Sequence, residues 1–384
     1  MNRRLAVAIG VGFVNVMPPA FAGAMGVQMM RDLEVGPRIL GLSVSAFFLI
    51  NTVISPVAGS IVDRLGPRNG VRVATGISMS GMVAIALLAR DQSSLLAIML
   101  VAGIGTSFGG PVASLLLADG ISARRLGLAF GMKQAAIPGA NVAAGLMVPI
   151  AAGALGWRGS FLAGAVAGLL VLVSAVFVPA RRQMSTGTRG RVRDPWTLWQ
   201  LAGAFFLASA TANALNSFVV AHGVEVGLGQ STAGLLLALG SGTAIVMRVV
   251  VGWQVGARDL NPLALAGVMV GLGAVGCVVL VLGGGPGVGL GSLLALGGGW
   301  GWTGLLTYAV TRANHTAPAG ATGIIQVGGA GGGIAGPLVA GWLADGGAYS
   351  NVWSVGAVAY ATSAILLILI ARGDAMASFQ RRIT

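Results

Sequence analysis

The sequence predicts an all-α membrane protein in which twelve transmembrane helices form two six-helix bundles related by a parallel repeat, with both termini cytoplasmic. Three observations predict this fold: an apolar composition, long apolar runs with short connectors, and a basic segment that divides the runs evenly. Of the 384 residues, 55% are apolar and 9% are charged, whereas soluble domains carry about 25% charged residues. The 64 glycines have no three-residue period and lie inside apolar runs, as in closely packed membrane helices. A soluble domain and a collagen are therefore excluded.

The first six apolar runs are each about 20 residues long, which is the length that crosses a bilayer as a helix. We predict spans at 5–29, 39–62, 71–89, 94–118, 126–151 and 158–179. The first run also imitates a signal peptide, because Arg3 and Arg4 precede an apolar stretch that ends in Ala20-Phe21-Ala22. We favour a span, since the run stays largely apolar to Met30 and its removal would break the pairing into halves.

The longest connector inside the chain is basic and separates the first six spans from a second six. The second group lies at 196–221, 230–256, 261–282, 287–311, 320–344 and 350–371. We therefore predict an N-terminal bundle at 1–179, a cytoplasmic linker at 180–195 and a C-terminal bundle at 196–384. Gly131-Met132-Lys133-Gln134 is matched by Gly323-Ile324-Ile325-Gln326, half the chain away. Such a parallel repeat is typical of carriers that open alternately to each side.

The basic residues indicate the orientation. Seventeen of the 23 lie in the connectors and tails of one side, four in those of the other side, and two inside spans. Because cytoplasmic loops carry the excess of Lys and Arg, both ends are expected in the cytoplasm. The same loops account for the net charge of +13, so we predict no nucleic-acid binding. We predict a monomeric, multi-pass protein of a bacterial-type inner (plasma) membrane. A single cysteine, Cys277, excludes a disulfide framework and a cysteine metal site.

A loop motif carries a family resemblance. The stretch Gly59-Ser60-Ile61-Val62-Asp63-Arg64-Leu65-Gly66-Pro67-Arg68 resembles the cytoplasmic loop signature of the major facilitator superfamily, with Pro67 where a basic residue is usual. Span eleven adds a second similar pattern in Gly336-Pro337 followed by Gly341 to Asp345. The resemblance covers essentially the whole chain and implies a twelve-helix secondary transporter.

A narrower resemblance concerns the second half. Arg248, in Met247 to Trp253, and the stretch Gly299-Trp300-Gly301-Trp302-Thr303-Gly304 resemble bacterial cyanate-transporter-like and monocarboxylate-transporter-like carriers. This likeness implies transport of small, often anionic, solutes, with Arg248 in contact with the substrate. The antiporter signature of span five is not matched by Ile137 to Asn141.

The loop motif also predicts a gate built from Asp63, Arg64, Arg68 and Arg72. Asp63 lies at the C-terminal end of span two, where the helix dipole disfavours an anion, so it needs a partner. The candidates are the three arginines and the N-terminus of span eleven, near Gly320. Such a cluster can latch the cytoplasmic face and must break when the carrier opens inward. For Arg68 and Arg72 the alternative is a solvated loop that obeys the positive-inside rule.

Two charged residues, Lys133 and Arg248, lie inside the predicted apolar spans. Each costs a few kcal/mol at the bilayer centre, which makes it a functional candidate. At a rise of about 1.5 Å per residue, they lie about 10 and 12 Å from the cytoplasmic ends of their spans. No acidic residue lies at that depth, so a bound carboxylate would relieve their repulsion. The alternative is that Lys133 reaches the cytoplasmic interface and Arg248 bonds backbone carbonyls at the end of its own helix.

Uncharged polar and aromatic residues complete the candidate substrate site. They are Asn15, Asn51, Gln134, Asn141, Trp300, Trp302 and Gln326. The two tryptophans are two residues apart on a helix, so at most one is expected to face the substrate.

The leading function is secondary active transport of a small, carboxylate-type anion by alternating access. Proton symport, anion exchange and facilitated diffusion all stay open, with the proton as a possible second partner. One alternative is proton-coupled efflux of apolar or cationic compounds, and another is a non-transporting sensor or assembly protein. An enzyme is not expected, because the sequence offers no metal cluster, catalytic set, Walker loop or cofactor motif.

Overall fold

The computed structural model describes residues 3–118, 123–178, 192, 194–258, 260–347 and 349–373. Every regular element in these ranges is helical. In chain order the helices are α1 (Arg3–Asn15), α2 (Met17–Ala24), α3 (Gly26–Asp32), α4 (Pro37–Leu88), α5 (Gln92–Ala118), α6 (Ala123–Ile150), a π-helical turn (Ala151–Leu155), α7 (Gly156–Ser174), a 3-10 turn (Ala175–Phe177), α8 (Pro195–Glu225), α9 (Gln230–Arg258), α10 (Pro262–Leu282), α11 (Gly284–Gly301), α12 (Thr303–Ala313), α13 (Pro318–Ala344) and α14 (Tyr349–Arg372). The predicted linker lies largely outside the described residues.

Membrane-spanning length is common among these helices. Within the described ranges, eight helical segments are long and apolar enough to cross a bilayer, or nine if the bent pair α1 and α2 forms one span. Pro37–Leu88 covers predicted spans two and three, and Met132–Phe177 covers spans five and six. The chain is thus an all-helical, multi-pass membrane protein, and the number twelve stays a prediction.

Long helix α4 contains a sharp turn at Gly66. Its φ of 77° and ψ of 170° lie in a region that only glycine adopts at low cost. The turn separates predicted spans two and three at the loop motif, and Pro67 follows it directly. The next helix, α5, begins at a cap in which Asp91 Oδ1 accepts a hydrogen bond from the Ser94 amide at 2.8 Å. Hydrogen bonds from the Ser94 amide and hydroxyl lower the pKa of Asp91.

Predicted span one is bent rather than straight. Helices α1 and α2 meet at 46° because Pro18 and Pro19 have no amide hydrogen to donate to the carbonyls of Val14 and Asn15. The Thr106 hydroxyl of α5 donates to the Asn15 carbonyl at 2.6 Å. A neighbouring side chain thus satisfies one carbonyl that the prolines leave open, as an apolar environment requires.

The chain forms two compact units. The first unit comprises Met1–Met184, Asn216–Ala238 and Ala340–Asp345. In it, α4 packs against α5 and α7, and α1 packs against α5 and α6. Its buried apolar core includes Val7, Val11, Val62, Val71, Phe108 and Val112.

The second unit comprises Ser185–Leu215, Leu239–Val339 and Gly346–Thr384. In it, α10 packs against α11, α12 and α14. A side chain at Gly273 would meet the backbone of Gly299 within 2.9 Å, so small residues set the close spacing of α10 and α11. Tyr360 of α14 is fully buried, its ring lies against Gly299, and its hydroxyl donates to the Ala295 carbonyl at 3.4 Å.

Candidate functional site

Lys133 is held against α5 within the first unit. It is half-buried on α6, and its Nζ lies 2.9 Å from Ser114 Oγ and 3.4 Å from the Gly110 carbonyl oxygen. These partners are on a neighbouring helix, so the ammonium group is positioned by helix packing. On the same helix, Gln134 is half-buried and Asn141 is 5% exposed.

Asn15 and Asn51 take part in hydrogen bonds that join helices of the first unit. Asn15 is 2% exposed, and its Oδ1 accepts a hydrogen bond from the Ser78 hydroxyl of α4. Asn51 is half-buried, and its carbonyl accepts hydrogen bonds from the hydroxyls of Ser55 at 2.6 Å and Ser107 at 3.2 Å. Both sites therefore contribute to the scaffold, and their role in substrate binding stays a prediction.

Arg248 of the second unit lies beside Trp300. The half-buried guanidinium donates from Nη2 to the Trp300 carbonyl at 2.9 Å, and its Cζ lies 5.8 Å from the centre of the Trp300 ring. Trp302 is fully buried: its ring packs edge-on against Phe205 at 5.5 Å, and its Nε1 donates to the Gly299 carbonyl at 2.9 Å. Of the two tryptophans, Trp300 accompanies the charge and Trp302 fills the interior.

Gln326, the repeat counterpart of Gln134, is exposed on α13. Gln134 is half-buried. The matched pair in the sequence therefore occupies different environments.

Within the predicted gate, Arg68 is bound inside the first unit. Its Nε donates to the Val178 carbonyl at 2.8 Å and its Nη2 to the Val176 carbonyl at 3.4 Å. These carbonyls lie in and directly after the 3-10 turn that follows α7, where the end of a helix leaves carbonyls without helical partners. Arg68 thus ties the Gly66 turn to the end of α7.

The other members of the predicted gate are exposed. These are Asp63, Arg64 and Arg72. Arg72 Nη1 donates to Asn69 Oδ1 at 3.4 Å, one turn away on the same helix. Their proposed latch with the start of span eleven stays a prediction.

Replacing Arg68 with Gln is expected to lower the thermal stability of the purified protein. A hydrogen bond from a charged donor at a half-buried position contributes about 1 to 2 kcal/mol, which corresponds to a decrease of about 2 to 4 °C in melting temperature. Differential scanning fluorimetry in detergent measures it. Arg64→Gln, an exposed neighbour on the same loop, serves as the control and should melt like the wild type; equal melting of all three proteins would contradict the assignment.

A contact that we name the glycine seam joins distant segments of the first unit. Added Cβ atoms would lie 2.8 Å from Ser217 Cα at Gly23, 2.5 Å from the Gly234 oxygen at Gly145, 2.9 Å from the Gly145 oxygen at Gly234, and 2.7 Å from the Pro37 oxygen at Gly341. Backbones therefore touch at positions that tolerate no side chain. The seam brings the end of α8, the start of α9 and the end of α13 against α2, α6 and α4.

Two side-chain contacts accompany the glycine seam. Gln28 Nε2 donates to Gln230 Oε1 at 3.2 Å. Arg38 Cζ lies 4.8 Å from the centre of the Trp342 ring, a distance at which a cation is attracted to an aromatic face. Polar and cation–π contacts therefore reinforce the backbone packing.

Sequence reasoning missed the groups that hold the two intramembrane cations. Ser114 follows Gly110 by one helical turn, and its hydroxyl donates to the Gly110 carbonyl at 3.0 Å. Ser114 lies 19 residues before Lys133, on the preceding helix, and nothing in the sequence marks its hydroxyl as the partner of the lysine. The glycine seam was missed as well, because its members do not differ from the other glycines in local sequence.

The comparison with known protein families gives one match. The sequence matches the family model described as Major Facilitator Superfamily over residues 5–320. Among curated proteins, none matches the sequence significantly.

Two solved structures share the fold over nearly their whole length. A mutant of the nucleoside transporter NupG superposes with a TM-score of 0.75 at 12% identity, covering 96% of this chain and 100% of that chain. A bacterial homologue of the human lysosomal transporter Spinster, in an inward-facing and occupied conformation, superposes with a TM-score of 0.71 at 15% identity, covering 99% and 96%. At such identities the likeness establishes the fold alone.

Proposed function

The chain belongs to the major facilitator superfamily, and on that premise we propose that it is a secondary active transporter that moves a small, carboxylate-type anion by alternating access. The family match supports transport, and the residues described above support the charge of the cargo. We further propose twelve crossings in two bundles with both ends cytoplasmic, in a bacterial-type inner membrane. The asymmetry of seventeen against four basic residues in the connectors and tails supports this orientation.

The observation that carries the anion proposal is the environment of Arg248. A guanidinium inside an apolar span costs free energy, so its presence there indicates a function. Here it is oriented by the Trp300 carbonyl and accompanied by the Trp300 ring. In the sequence, the ten acidic residues lie in connectors, tails or at span ends. A carboxylate can accept paired hydrogen bonds from a guanidinium, so it is the anion that we propose for this position.

Lys133 supplies a second positive charge, held by Ser114 and Gly110 of α5. Lysine offers a compact charge, whereas arginine offers a planar pair of donors. We propose that each of these two cations attracts the anion electrostatically. A cargo with positive charge would be repelled by both, which argues against efflux of cationic compounds.

Lys133→Gln is expected to reduce anion uptake into proteoliposomes by at least about tenfold, since an attraction of about 1.4 kcal/mol or more is lost. Lys133→Arg retains the charge and should keep most of the uptake. Uptake of the ligand identified below is measured with equal amounts of folded protein. Wild-type uptake by Lys133→Gln would remove this residue from the site.

The proposed function is tested by ligand binding followed by transport. Purified protein in detergent is heated with formate, acetate, pyruvate, benzoate, nitrate, phosphate and chloride, because a specific ligand raises the apparent melting temperature. The best radiolabelled anion is then offered to proteoliposomes with and without a pH gradient. Uptake driven by the gradient indicates proton symport, and uptake that depends on internal anion indicates exchange. Binding without any counterflow would indicate a sensor instead.

The glycine seam supports alternating access. In the proposed topology, Gly23, Gly145 and Gly341 lie late in spans that run outward, and Gly234 lies early in a span that runs inward. All four would therefore lie near the outer face. We propose that their contacts form a closed outer gate, which must separate when the carrier opens outward.

A further inference from the structure

The indole N–H of Trp300 is a buried donor without a hydrogen-bond partner among the described residues. The side chain is 7% exposed. An unsatisfied N–H in an apolar environment is costly, so buried indoles nearly always find a partner. Trp302, two residues further, follows this rule by donating to the Gly299 carbonyl.

The same residue also holds the intramembrane arginine. The Trp300 carbonyl accepts a hydrogen bond from Arg248 Nη2 at 2.9 Å, and the centre of the Trp300 ring lies 5.8 Å from Arg248 Cζ. The guanidinium of Arg248, on α9, and the indole N–H of Trp300, at the end of α11, therefore belong to side chains that lie next to each other. The bond to the Trp300 carbonyl orients the guanidinium, and the Trp300 indole N–H adds a second hydrogen-bond donor.

We propose that the Trp300 N–H and the Arg248 guanidinium together form an oxyanion subsite that selects planar oxyanions, carboxylates above all, over anions with a single acceptor atom. This inference rests on the proposed function and names the residue that sets its selectivity. A carboxylate presents two oxygens, so one can accept from the guanidinium while the other accepts from the indole. Chloride is a single acceptor, so it can accept from both donors only where they converge on one point, whereas a carboxylate offers two oxygens to donors that lie apart.

In this subsite the indole N–H of Trp300, and not only its ring, is required for selectivity. A site built to donate a hydrogen bond discriminates against a ligand that does not accept it, because the donor then stays unpaired. One hydrogen bond to a charged acceptor corresponds to a preference of about 10- to 100-fold. Phenylalanine would keep an aromatic face beside Arg248 and lose only the N–H.

The test compares Trp300→Phe with the matched control Trp302→Phe. Full-length proteins in detergent are titrated with sodium acetate, sodium benzoate and sodium chloride, and Kd values are obtained from melting-temperature shifts. We expect Trp300→Phe to weaken carboxylate binding about 10- to 100-fold with little change for chloride. Trp302→Phe should melt at a lower temperature and keep the carboxylate preference. Trp300→His, which retains a ring N–H, should recover part of the preference. Trp300→Leu, which also lacks the N–H, replaces Trp300→Phe if that variant does not fold.

The outcomes separate this inference from the proposed function. Loss of carboxylate binding in Arg248→Gln together with an unchanged preference in Trp300→Phe would overturn the role of Trp300 alone. Unchanged carboxylate binding in both variants would overturn the anion site as a whole. Wild-type protein that binds chloride as tightly as both carboxylates would also overturn the selectivity proposed here.

Discussion

Arg248→Gln is expected to lower the affinity for the anion at least about 30-fold and to abolish measurable uptake. Removing one partner of a hydrogen-bonded charge pair in a desolvated site costs about 2 to 5 kcal/mol, and every 1.4 kcal/mol is about tenfold in affinity. Gln keeps a polar side chain with much of the arginine's bulk but without the positive charge, so the local packing is largely retained. Titration of the purified variant with the anions above and uptake into proteoliposomes measure the effect.

Arg312→Gln is the matched control for Arg248→Gln. Arg312 is an exposed arginine of the same unit whose Nη1 donates to the Tyr308 hydroxyl at 3.0 Å. Its loss changes the net charge by the same amount, and we expect binding and uptake to stay at the wild-type level. If both variants lost affinity equally, a general electrostatic effect would explain the result and the specific role of Arg248 would be contradicted.

Gly234→Ala is expected to slow transport strongly while the anion is still bound. The added Cβ would lie 2.7 Å from Val148 Cγ2 and 2.9 Å from the Gly145 oxygen, so α9 and α6 could not approach as closely. Overpacking of this kind costs about 1 to 3 kcal/mol, which lowers the population with a closed seam by about 5- to 150-fold. Because a carrier must close on one side before it opens on the other, we expect exchange across vesicles to fall by a similar factor.

Gly242→Ala is the control for the seam. This glycine lies on the same helix, and an added Cβ there would have no atom within 4 Å. Alanine also favours a helix by about 1 kcal/mol over glycine, so we expect normal transport and unchanged or higher stability. The readouts are equilibrium binding and solute counterflow measured on the same preparation. Normal counterflow in Gly234→Ala would show that the seam does not need to close tightly.

The sequence predicts the fold well because the bilayer imposes strong constraints on it. Apolar runs of the right length and arginines in short connectors are local features, and the loop motif places the Gly66 turn where α4 changes direction. The bend in span one also has a local cause in Pro18 and Pro19. The break between α11 and α12 at Trp302 has no proline beside it and follows Gly297 to Gly299 and Gly301; glycines are too common in this sequence to mark one break.

The candidate site could be predicted only in part. Lys133 and Arg248 stand out because a charge inside an apolar run differs from all its neighbours. Their partners do not stand out: Ser114 is an ordinary hydroxyl and the Trp300 carbonyl is a backbone group, so only helix packing identifies them. The same holds for the glycine seam, where Gly145 and Gly234 matter because their helices touch. Trp300 and Trp302 are equivalent in the sequence and differ only in what surrounds each indole.

Tyr360 offers a route by which the specificity of such a carrier can change without any alteration of the residues that meet the cargo. Its ring lies against Gly299, immediately before Trp300, and its hydroxyl contacts the Ala295 carbonyl. A methyl group at 299 or a smaller ring at 360 would shift the turn that presents the indole. Two carriers with identical contact residues can therefore prefer different solutes. Directed evolution of a carrier towards a new solute should include positions 299 and 360 among its targets.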